Sequence, residues 1–274
     1  MDSRLRGNDV SLGENTILQE SPIKTKNKIQ FIPGIHSVRE SLINNRDSIL
    51  ELWVTRGKRS VKIMNIIDLA QDNNIPVFEK EGSILEDILP GTNHQGITAL
   101  IKGFQYTDIE DLINSTRSSK GNNLLIAVDH ITDEGNLGGI LRTAAFFGVN
   151  GIILPRDRSA KVSGVAIKRS SGGYAHVPVS LVVNLGRFID LLNKEGFWII
   201  GTSGQGGETI YEFDWKRDTL LVLGNEEKGV SPSILKRCHQ VLKIPSDEKI
   251  DALNVSVAAG VILSEIMRQR KYAI

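Results

Sequence analysis

Three groups of residues in the second half of this chain have the types and spacing to do chemistry. The first is Asn136-Leu137-Gly138-Gly139-Ile140-Leu141-Arg142, which follows the apolar run Leu124 to Val128. Asn136 can cap a helix, and Arg142 then sits nearly two turns on, with Gly139 and Gly138 three and four residues behind it. Neither glycine would crowd a guanidinium lying back toward the helix start and the sheet edge. The second group is Gly224-Asn225-Glu226-Glu227-Lys228-Gly229, after the apolar run Leu220 to Leu223. Gly224 at a strand end would let a ligand approach the backbone. Glu226 and Glu227 would set carboxylates at the mouth. The third is Leu253-Asn254-Val255-Ser256, which opens a helix whose next residues (Val257, Ala258, Ala259, Val261, Ile262, Leu263) are apolar almost all round. Such a helix is expected to be buried, so that its free N–H groups end inside the protein or in a site. Each group also has a plainer reading: an N-cap with a surface cation, a solvated turn, and a simple cap by Asn254. The last leaves Ser256 unexplained.

Other polar stretches carry weaker signals. Gly201-Thr202-Ser203-Gly204-Gln205-Gly206-Gly207 follows a strand, but Glu208 to Trp215 lacks the pattern of a helix. No acid stands at the distance a nicotinamide site requires, so that reading is rejected and a loop near the crevice is expected. Arg156, Arg158, Lys161, Lys168 and Arg169 are opposed only by Asp157 and interleaved with serines. They could grip phosphates or form a solvated loop. Arg268, Arg270 and Lys271 make a second basic patch. His94-Gln95-Gly96 precedes a strand, as a substrate loop or a turn. The histidines (His36, His94, His130, His176, His239) show no metal-ligand spacing, and no Ser-His-Asp or Cys-His grouping is suggested.

The elements that must position these residues fall into two α/β units. Gly34 to Asn44 predicts a helix, Leu50 to Thr55 a strand, Val61 to Gln71 a helix and Pro76 to Phe78 a strand. Ser83, with Glu86 at the capping-box position, predicts a helix over Ile84 to Leu89. Gln95 to Ile101 closes the unit as a strand. Lys102 to Asn123 is polar and predicts a linker with a helical turn or two around Ile109 to Ile113. Then strand and helix alternate: strands at 124–128, 151–154, 177–179, 197–201, 220–223 and 241–244, and helices at 136–148, 185–193, 233–238 (with Ser231 as cap and Pro232 at N1) and 254–268. Val162, Val165 and Ile167 show no assignable period. The alternation predicts a mostly parallel sheet, and ligands bind such sheets beyond the carboxyl ends of their strands.

The whole chain sets bounds. Its 274 residues suit two domains, and 40% hydrophobic content suits ordinary cores. A net charge of +1 means that any nucleic-acid surface is a local patch. Cys238 is the single cysteine, which excludes internal disulfides and cysteine metal clusters and fits a reducing, cytoplasmic setting. No apolar run reaches the roughly 18 to 20 residues of a membrane span. The first 28 residues carry Asp2, Asp9, Glu14 and Glu20 without a signal-peptide core, and are expected to be a disordered tail.

Taken in order, Asn136…Arg142, Gly224-Asn225-Glu226…Gly229 and Leu253-Asn254-Val255-Ser256 resemble the three signature motifs of the SpoU (TrmH-like) RNA ribose 2′-O-methyltransferases. Gly34-Ile35-His36, His94-Gln95-Gly96-Ile97 and Asp157-Arg158-Ser159-Ala160 resemble the branch that acts on guanosine in bacterial 23S rRNA and carries a small front domain. The resemblance implies an α/β SPOUT-type fold: a mostly parallel sheet with a C-terminal trefoil knot, plus a small N-terminal α/β domain. It divides the chain into a tail (1–28), an RNA substrate-binding domain (29–103), a linker (104–123) and a methyltransferase domain (124–274). It further implies S-adenosylmethionine as cofactor, RNA as partner, a homodimer and no metal. Asn136, Arg142, Glu226, Asn254 and Ser256 would be the catalytic set. Thr202, Gly204, Gly224, Ile244 and Leu253 would hold the cofactor. His94, Gln95, Arg156, Arg158, Lys161, Lys168 and Arg169 would meet RNA. A guanidinium is a poor base at neutral pH, so an electrostatic role is expected of Arg142. The chain departs from the family at Glu134-Gly135, where proline is common, and at Gly173-Tyr174-Ala175-His176, a stretch that often carries an acid. A tRNA substrate, or an RNA-binding homologue without catalysis, are the competing readings. The front domain argues against the first and the intact motifs against the second.

Overall fold

The computed structural model describes residues 29–272 apart from 58, 120, 206, 248, 250 and 251. The expected tail, 1–28, lies outside the described residues. The front unit runs β1 (Gln30–Pro33), α1 (Ile35–Asn44), β2 (Ile49–Thr55), α2 (Val61–Asp72), β3 (Val77–Lys80), α3 (Gly82–Ile88) and β4 (Ile97–Ile101). Its sheet has the order β1-β4-β2-β3, with β4 antiparallel to both neighbours. The rear unit runs α4 (Ile109–Ser118), β5 (Leu124–Asp129), α5 (Glu134–Phe147), β6 (Gly151–Pro155), α6 (Gly164–Ser170), β7 (Val179–Val182), α7 (Leu185–Lys194), β8 (Trp198–Thr202), β9 (Glu208–Thr209), β10 (Thr219–Gly224), α8 (Pro232–Leu235), β11 (Gln240–Lys243) and α9 (Val255–Lys271). Its sheet has the order β7-β6-β5-β10-β8-β11-β9, and every pairing is parallel.

The burial pattern explains the rear sheet. β5 and β10 are buried at every residue, as continuous apolar strands covered on both faces must be. Leu124, Ile126 and Val128 face a core shared with α5, α6 and α9. Leu125 and Ala127 face the opposite core with α4, α7 and α8. The register of β10 against β5 sets Gly224 beside Asp129, so two adjacent strands release their chains side by side at the carboxyl edge.

Several elements differ from expectation. β1 was not predicted; one apolar pair beside Pro33 gives no period, and the strand survives as an edge. Ser83 is not a cap, because α3 begins at Gly82 with Glu81 before it and no side-chain cap bond. Inside the stretch read as a linker, α4 is longer than a turn or two: Asp108 caps it, and Leu112 and Ile113 are buried against the rear sheet. Val162 to Ser170 hides a short helix, α6, too brief to show a period. The helix expected to be buried all round, α9, leaves Val257 51% exposed.

The two units share one buried core, which runs from Ile32, Leu52 and Ile97 in front to Leu141, Ile167 and Tyr174 behind. The Ser41 and Tyr174 hydroxyls bond at 2.6 Å across this junction, and Lys168 Nζ donates to the Asn93 carbonyl at 2.7 Å. No described helix is long and apolar enough to cross a membrane.

Arg270 is not part of a surface patch. Its guanidinium is largely buried and donates to the carbonyls of Trp215, Asn122 and Arg217 at 2.7–2.9 Å, tying the end of α9 to the chain entering β5 and β10. Desolvation lowers its pKa, and the charge of Asp218 opposes that shift. Replacing Arg270 removes the donor to three carbonyls, two of them in partly buried bonds. We expect Arg270→Ala to cost about 3 kcal/mol of unfolding free energy in a urea titration, with Arg270→Lys recovering little, because an ammonium lacks the planar fork.

Candidate active site

The loop after β5 begins the site. α5 starts at Glu134, two residues earlier than expected, and Asp133 is its cap: Asp133 Oδ1 accepts from the Asn136 N–H at 2.6 Å. Asn136 is therefore not the N-cap. Its side chain is free of capping duty and turns to other partners.

Those partners come from the two other motifs. Asn254 caps α9, its Oδ1 accepting from the N–H groups of Ser256 at 3.0 Å and Val257 at 3.4 Å and from Ser256 Oγ at 2.6 Å. With the oxygen so engaged, Asn254 can only turn its amide nitrogen outward, and Nδ2 donates to Asn136 Oδ1 at 2.8 Å. That in turn leaves Asn136 Nδ2 to donate, and it does so to Glu226 Oε1. A single directed chain of hydrogen bonds thus runs from the start of α9 to a carboxylate after β10. It joins Asn136, Glu226, Asn254 and Ser256, which lie up to 120 positions apart. The turn that presents Glu226 is closed by Asn225 and Gly229, which exchange backbone bonds at 3.1 and 2.8 Å. Asn225 Oδ1 accepts from the N–H groups of Glu227 and Lys228.

The glycines do not do what their spacing suggested. A Cβ on Gly138 would lie 2.5 Å from Arg169 Cβ, and one on Gly139 would lie 2.8 Å from Ser256 Cβ. Their space is filled by α6 and α9, so they permit helix contact and leave Arg142 no path back to the helix start. A Cβ on Gly224 would meet the backbone of Gly229 and Val230 at 2.1 Å, so the close approach there is made by the chain itself.

Arg142 stands apart from the polar chain. Six residues along α5 place it about 9 Å farther on and some 120° round the axis from Asn136. Its Nη1 donates to Ser171 Oγ at 3.3 Å, and it lines a cavity of about 610 Å³ with Glu40, Phe146, Ser170 and His176. Within one chain, then, the cluster does not order Arg142.

The residues assigned to a cofactor lie along the same carboxyl edge. Thr202 ends β8 and donates to the Val222 carbonyl at 3.1 Å; Gly204 is in the exposed turn beyond it. Ile244 follows β11, packed against the core, and Leu253 precedes the α9 cap at 49% exposure. These leave backbone edges and apolar surface together.

The basic set divides. Lys161 Nζ is spent on the Pro155 and Arg156 carbonyls of its own loop, and burial lowers its pKa. Gln95 Oε1 accepts from the Ile35 N–H at the start of α1, and His94 Nδ1 accepts from the Gly96 N–H, so both shape their loop. Arg156, Arg158 and Arg169 are not buried, and Lys168 bridges to the front unit.

Sequence reasoning missed Asp129. This buried carboxylate at the end of β5 accepts from the Ser231 N–H at 2.7 Å and meets His130 Nδ1 at 2.6 Å, pinning the β10–α8 loop against the β5 exit. Its only signal was an acid at the end of an apolar strand. A second cleft, of about 520 Å³, opens beside it between His130, Arg158 and Arg237.

The chain matches known proteins along both units. The SpoU rRNA Methylase family profile matches residues 123–264, and the profile for RNA 2′-O ribose methyltransferase substrate binding matches residues 31–107. A 23S rRNA (guanosine-2′-O-)-methyltransferase, RlmB, of Pseudomonas aeruginosa is 35% identical over 237 residues, covering 86% of this chain and 95% of the relative. One of the same name from Xylella fastidiosa is 34% identical, covering 89% and 98%. The structure of the SpoU methyltransferase AviRb of Streptomyces viridochromogenes, solved in complex with AdoMet, has the same fold, with a TM-score of 0.73 at 23% identity over 89% of this chain and 92% of that one.

The contact of Gly139 with Ser256 sets the spacing of α5 and α9, and so the polar chain. We expect Gly139→Ala to lower stability by about 2 kcal/mol in chemical denaturation, with part of the loss regained in the Gly139→Ala, Ser256→Gly double variant. Strictly additive losses would show that the two residues are not in contact. Burial, helped by the negative charge of Asp129, raises the Cys238 thiol from 9.0 to about 11. At pH 8 its thiolate fraction, and hence its alkylation by iodoacetamide, should be about 100-fold lower in the folded chain than in urea.

Proposed function

The chain belongs to the SpoU rRNA methylase family, and on that premise we propose that it methylates the 2′-oxygen of a guanosine ribose in 23S rRNA, using S-adenosylmethionine. The observation that carries the reading is the hydrogen-bonded chain Ser256–Asn254–Asn136–Glu226, which gathers the three family motifs at the carboxyl edge of β5 and β10. The guanosine and the 23S rRNA rest on the names of the relatives.

The cofactor's place is beyond the ends of β10, β8 and β11. Thr202 and Gly204 offer backbone there, while Gly224 is packed against Gly229 and Val230 and shapes the turn beside it; Ile244 and the exposed Leu253 offer apolar surface that suits a purine ring. When bound, S-adenosylmethionine supplies an electrophilic methyl group on a sulfonium. The ribose oxygen forms the new O–C bond as the S–C bond breaks, and its proton leaves to water or a nearby base. A ribose hydroxyl is a very weak acid, so its developing negative charge must be stabilised. Arg142 supplies that charge and grips the adjoining phosphate; as a permanent cation it is suited to this and not to proton removal. The polar chain holds Glu226 and Asn136 in one orientation, which fixes the reacting geometry.

Arg142 and the cluster of one chain face different directions, which supports a homodimer in which each site is completed by the second copy. Phe146 on α5, 81% exposed, together with Leu253 just before the α9 cap and Val257 on α9, 49% and 51% exposed, offers an apolar surface for that contact. The path from β11 also supports a trefoil knot. β11 is two strands from β10, yet the chain returns to set Asn254 against Asn136 and must recross the ends of β8 and β10. Residues 29–103 act as the RNA-binding unit and 124–274 as the transferase, joined through 104–123. Arg156, Arg158, Lys168 and Arg169, with the His94–Gln95 loop, line the RNA path. The cellular setting is the cytoplasm, where this RNA is made.

We expect labelled methyl from S-adenosylmethionine to enter 23S rRNA as an alkali-resistant linkage when the chain is incubated with separated rRNAs and tRNAs; no transfer to any RNA would sink the reading. Arg142→Ala should lose at least about 100-fold in transfer while keeping cofactor affinity within about twofold by calorimetry. Asn254→Asp keeps an α9 cap but removes the donor to Asn136, so it should melt close to wild type and still lose about 10-fold or more. Co-refolded Arg142→Ala and Asn254→Asp chains should regain activity if sites are shared.

A further inference from the structure

The cavity beside Arg142 contains a second charged group that the mechanism above leaves unused. Glu40, from α1 of the front unit, lines it together with Arg142, Ser171 and Gly172. The carboxylate is held there by the docking of the two units. The Ser41–Tyr174 hydroxyl bond, 2.6 Å long, fixes α1 against the segment after α6. At Gly172, φ is +94°, and a Cβ would fall 2.7 Å from Glu40 Cβ and Cγ, so only glycine lets the helix seat this closely.

Neither charge neutralises the other. Among the described residues Arg142 has no ion-pair partner, and it spends Nη1 on Ser171 Oγ at 3.3 Å. Glu40 Oε1 accepts from Arg39 Nη1 at 3.1 Å and Oε2 from Asn44 Nδ2 at 3.2 Å. Each carboxylate oxygen can accept two bonds, so both retain capacity. The Arg39 side chain is 55% exposed, and such a pair is weak in water. A cation and a carboxylate with spare acceptors therefore flank the Ser171–Gly172 turn. Their ligand must carry an anionic or electron-rich group at one end and paired N–H donors at the other.

A nucleotide of one kind does so. With its ribose and phosphate at Arg142, its base reaches toward α1. Guanine alone among the four RNA bases has two adjacent donors, N1–H and N2–H, on its Watson–Crick edge. Adenine and cytosine set a ring-nitrogen acceptor beside their amine, and uracil flanks its one N–H with carbonyls. A carboxylate accepts two parallel bonds from guanine and repels the others. Unpaired bases in RNA are read on this edge. We propose that Glu40 reads the Watson–Crick edge of the target guanine and makes the front unit a part of the specificity site. The proposal rests on the reading that the methyl acceptor lies at Arg142.

The test uses the full-length protein, S-adenosylmethionine and a synthetic RNA spanning the mapped nucleotide, with either guanosine or inosine at that position. Inosine keeps N1–H and lacks the 2-amino group. We expect the wild-type chain to prefer guanosine by about 10-fold or more in kcat/KM. In Glu40→Ala the guanosine-to-inosine ratio should collapse to about one. Glu40→Gln is isosteric and can still accept one bond while its amine opposes the guanine donors; it should show the same collapse with an unchanged melting temperature. A ratio equal to wild type in both variants, with guanosine and inosine falling by one common factor, would make Glu40 a packing residue and overturn the inference while leaving the methyltransferase reading intact. Absence of a guanosine preference in the wild-type chain would overturn it too. Failure of the wild-type chain to methylate any RNA would remove both.

Discussion

The start of α9 has a free N–H that must find an acceptor, and from that need the direction of every later bond in the site follows. Asn254 turns its oxygen inward to cap the helix, so its nitrogen must point out. Asn136 then presents oxygen to Asn254 and nitrogen to Glu226, which as a carboxylate can only accept. Two amides that could each flip are locked by a helix cap at one end and an anion at the other. Rigid placement of this kind suits a reaction that demands linear alignment of three atoms. The lock depends on the close packing of α5 against α9, where Gly139, with no side chain of its own, sits against the side chain of Ser256.

A second junction organises the opposite end of α5. The turn after α6 is clamped between α5 and α1, with a buried hydroxyl pair at its centre. Burial raises the pKa of Tyr174, so it stays neutral and bonded to Ser41. The front unit is for this reason a wall of the Arg142 cavity and not a tethered appendage. Arg142 thereby faces a space built from both units, while the polar cluster joins α5 to the turn after β10 and to the start of α9. One helix carries both Asn136 and Arg142, and the exposed Phe146 lines the cavity of the latter.

Much of the rear sheet was legible because buried parallel strands read as unbroken apolar runs. Leu124 to Val128 and Leu220 to Leu223 are such runs, and both are strands. α6 and β1 were not legible, since seven residues and four residues carry too little period to rise above the background of their neighbours. The cap of α5 was misplaced because Asp133 and Asn136 are equally good N-caps by residue type. Packing chose between them: with Asp133 as cap, Asn136 can reach Asn254. The patches of cations were also misleading in part. Arg270 and Lys161 read as surface charge by sequence, and the fold sends both inward to carbonyls.

By itself the sequence determined the residue types of the three motifs, their order, and the two units that carry them, because these are properties of local pattern and composition. Tertiary structure decided which polar atoms meet. Glycine spacing that seemed to open a path for Arg142 instead admitted α6 and α9, since a missing side chain is filled by whichever helix packs there. The division of Arg142 from Asn136 follows from helix geometry, but its consequence, a carboxylate from α1 entering the same cavity, required the docking of a segment 102 positions away in the chain. Contacts between distant segments are set by the volume and direction of what lies between them, and no local pattern records either.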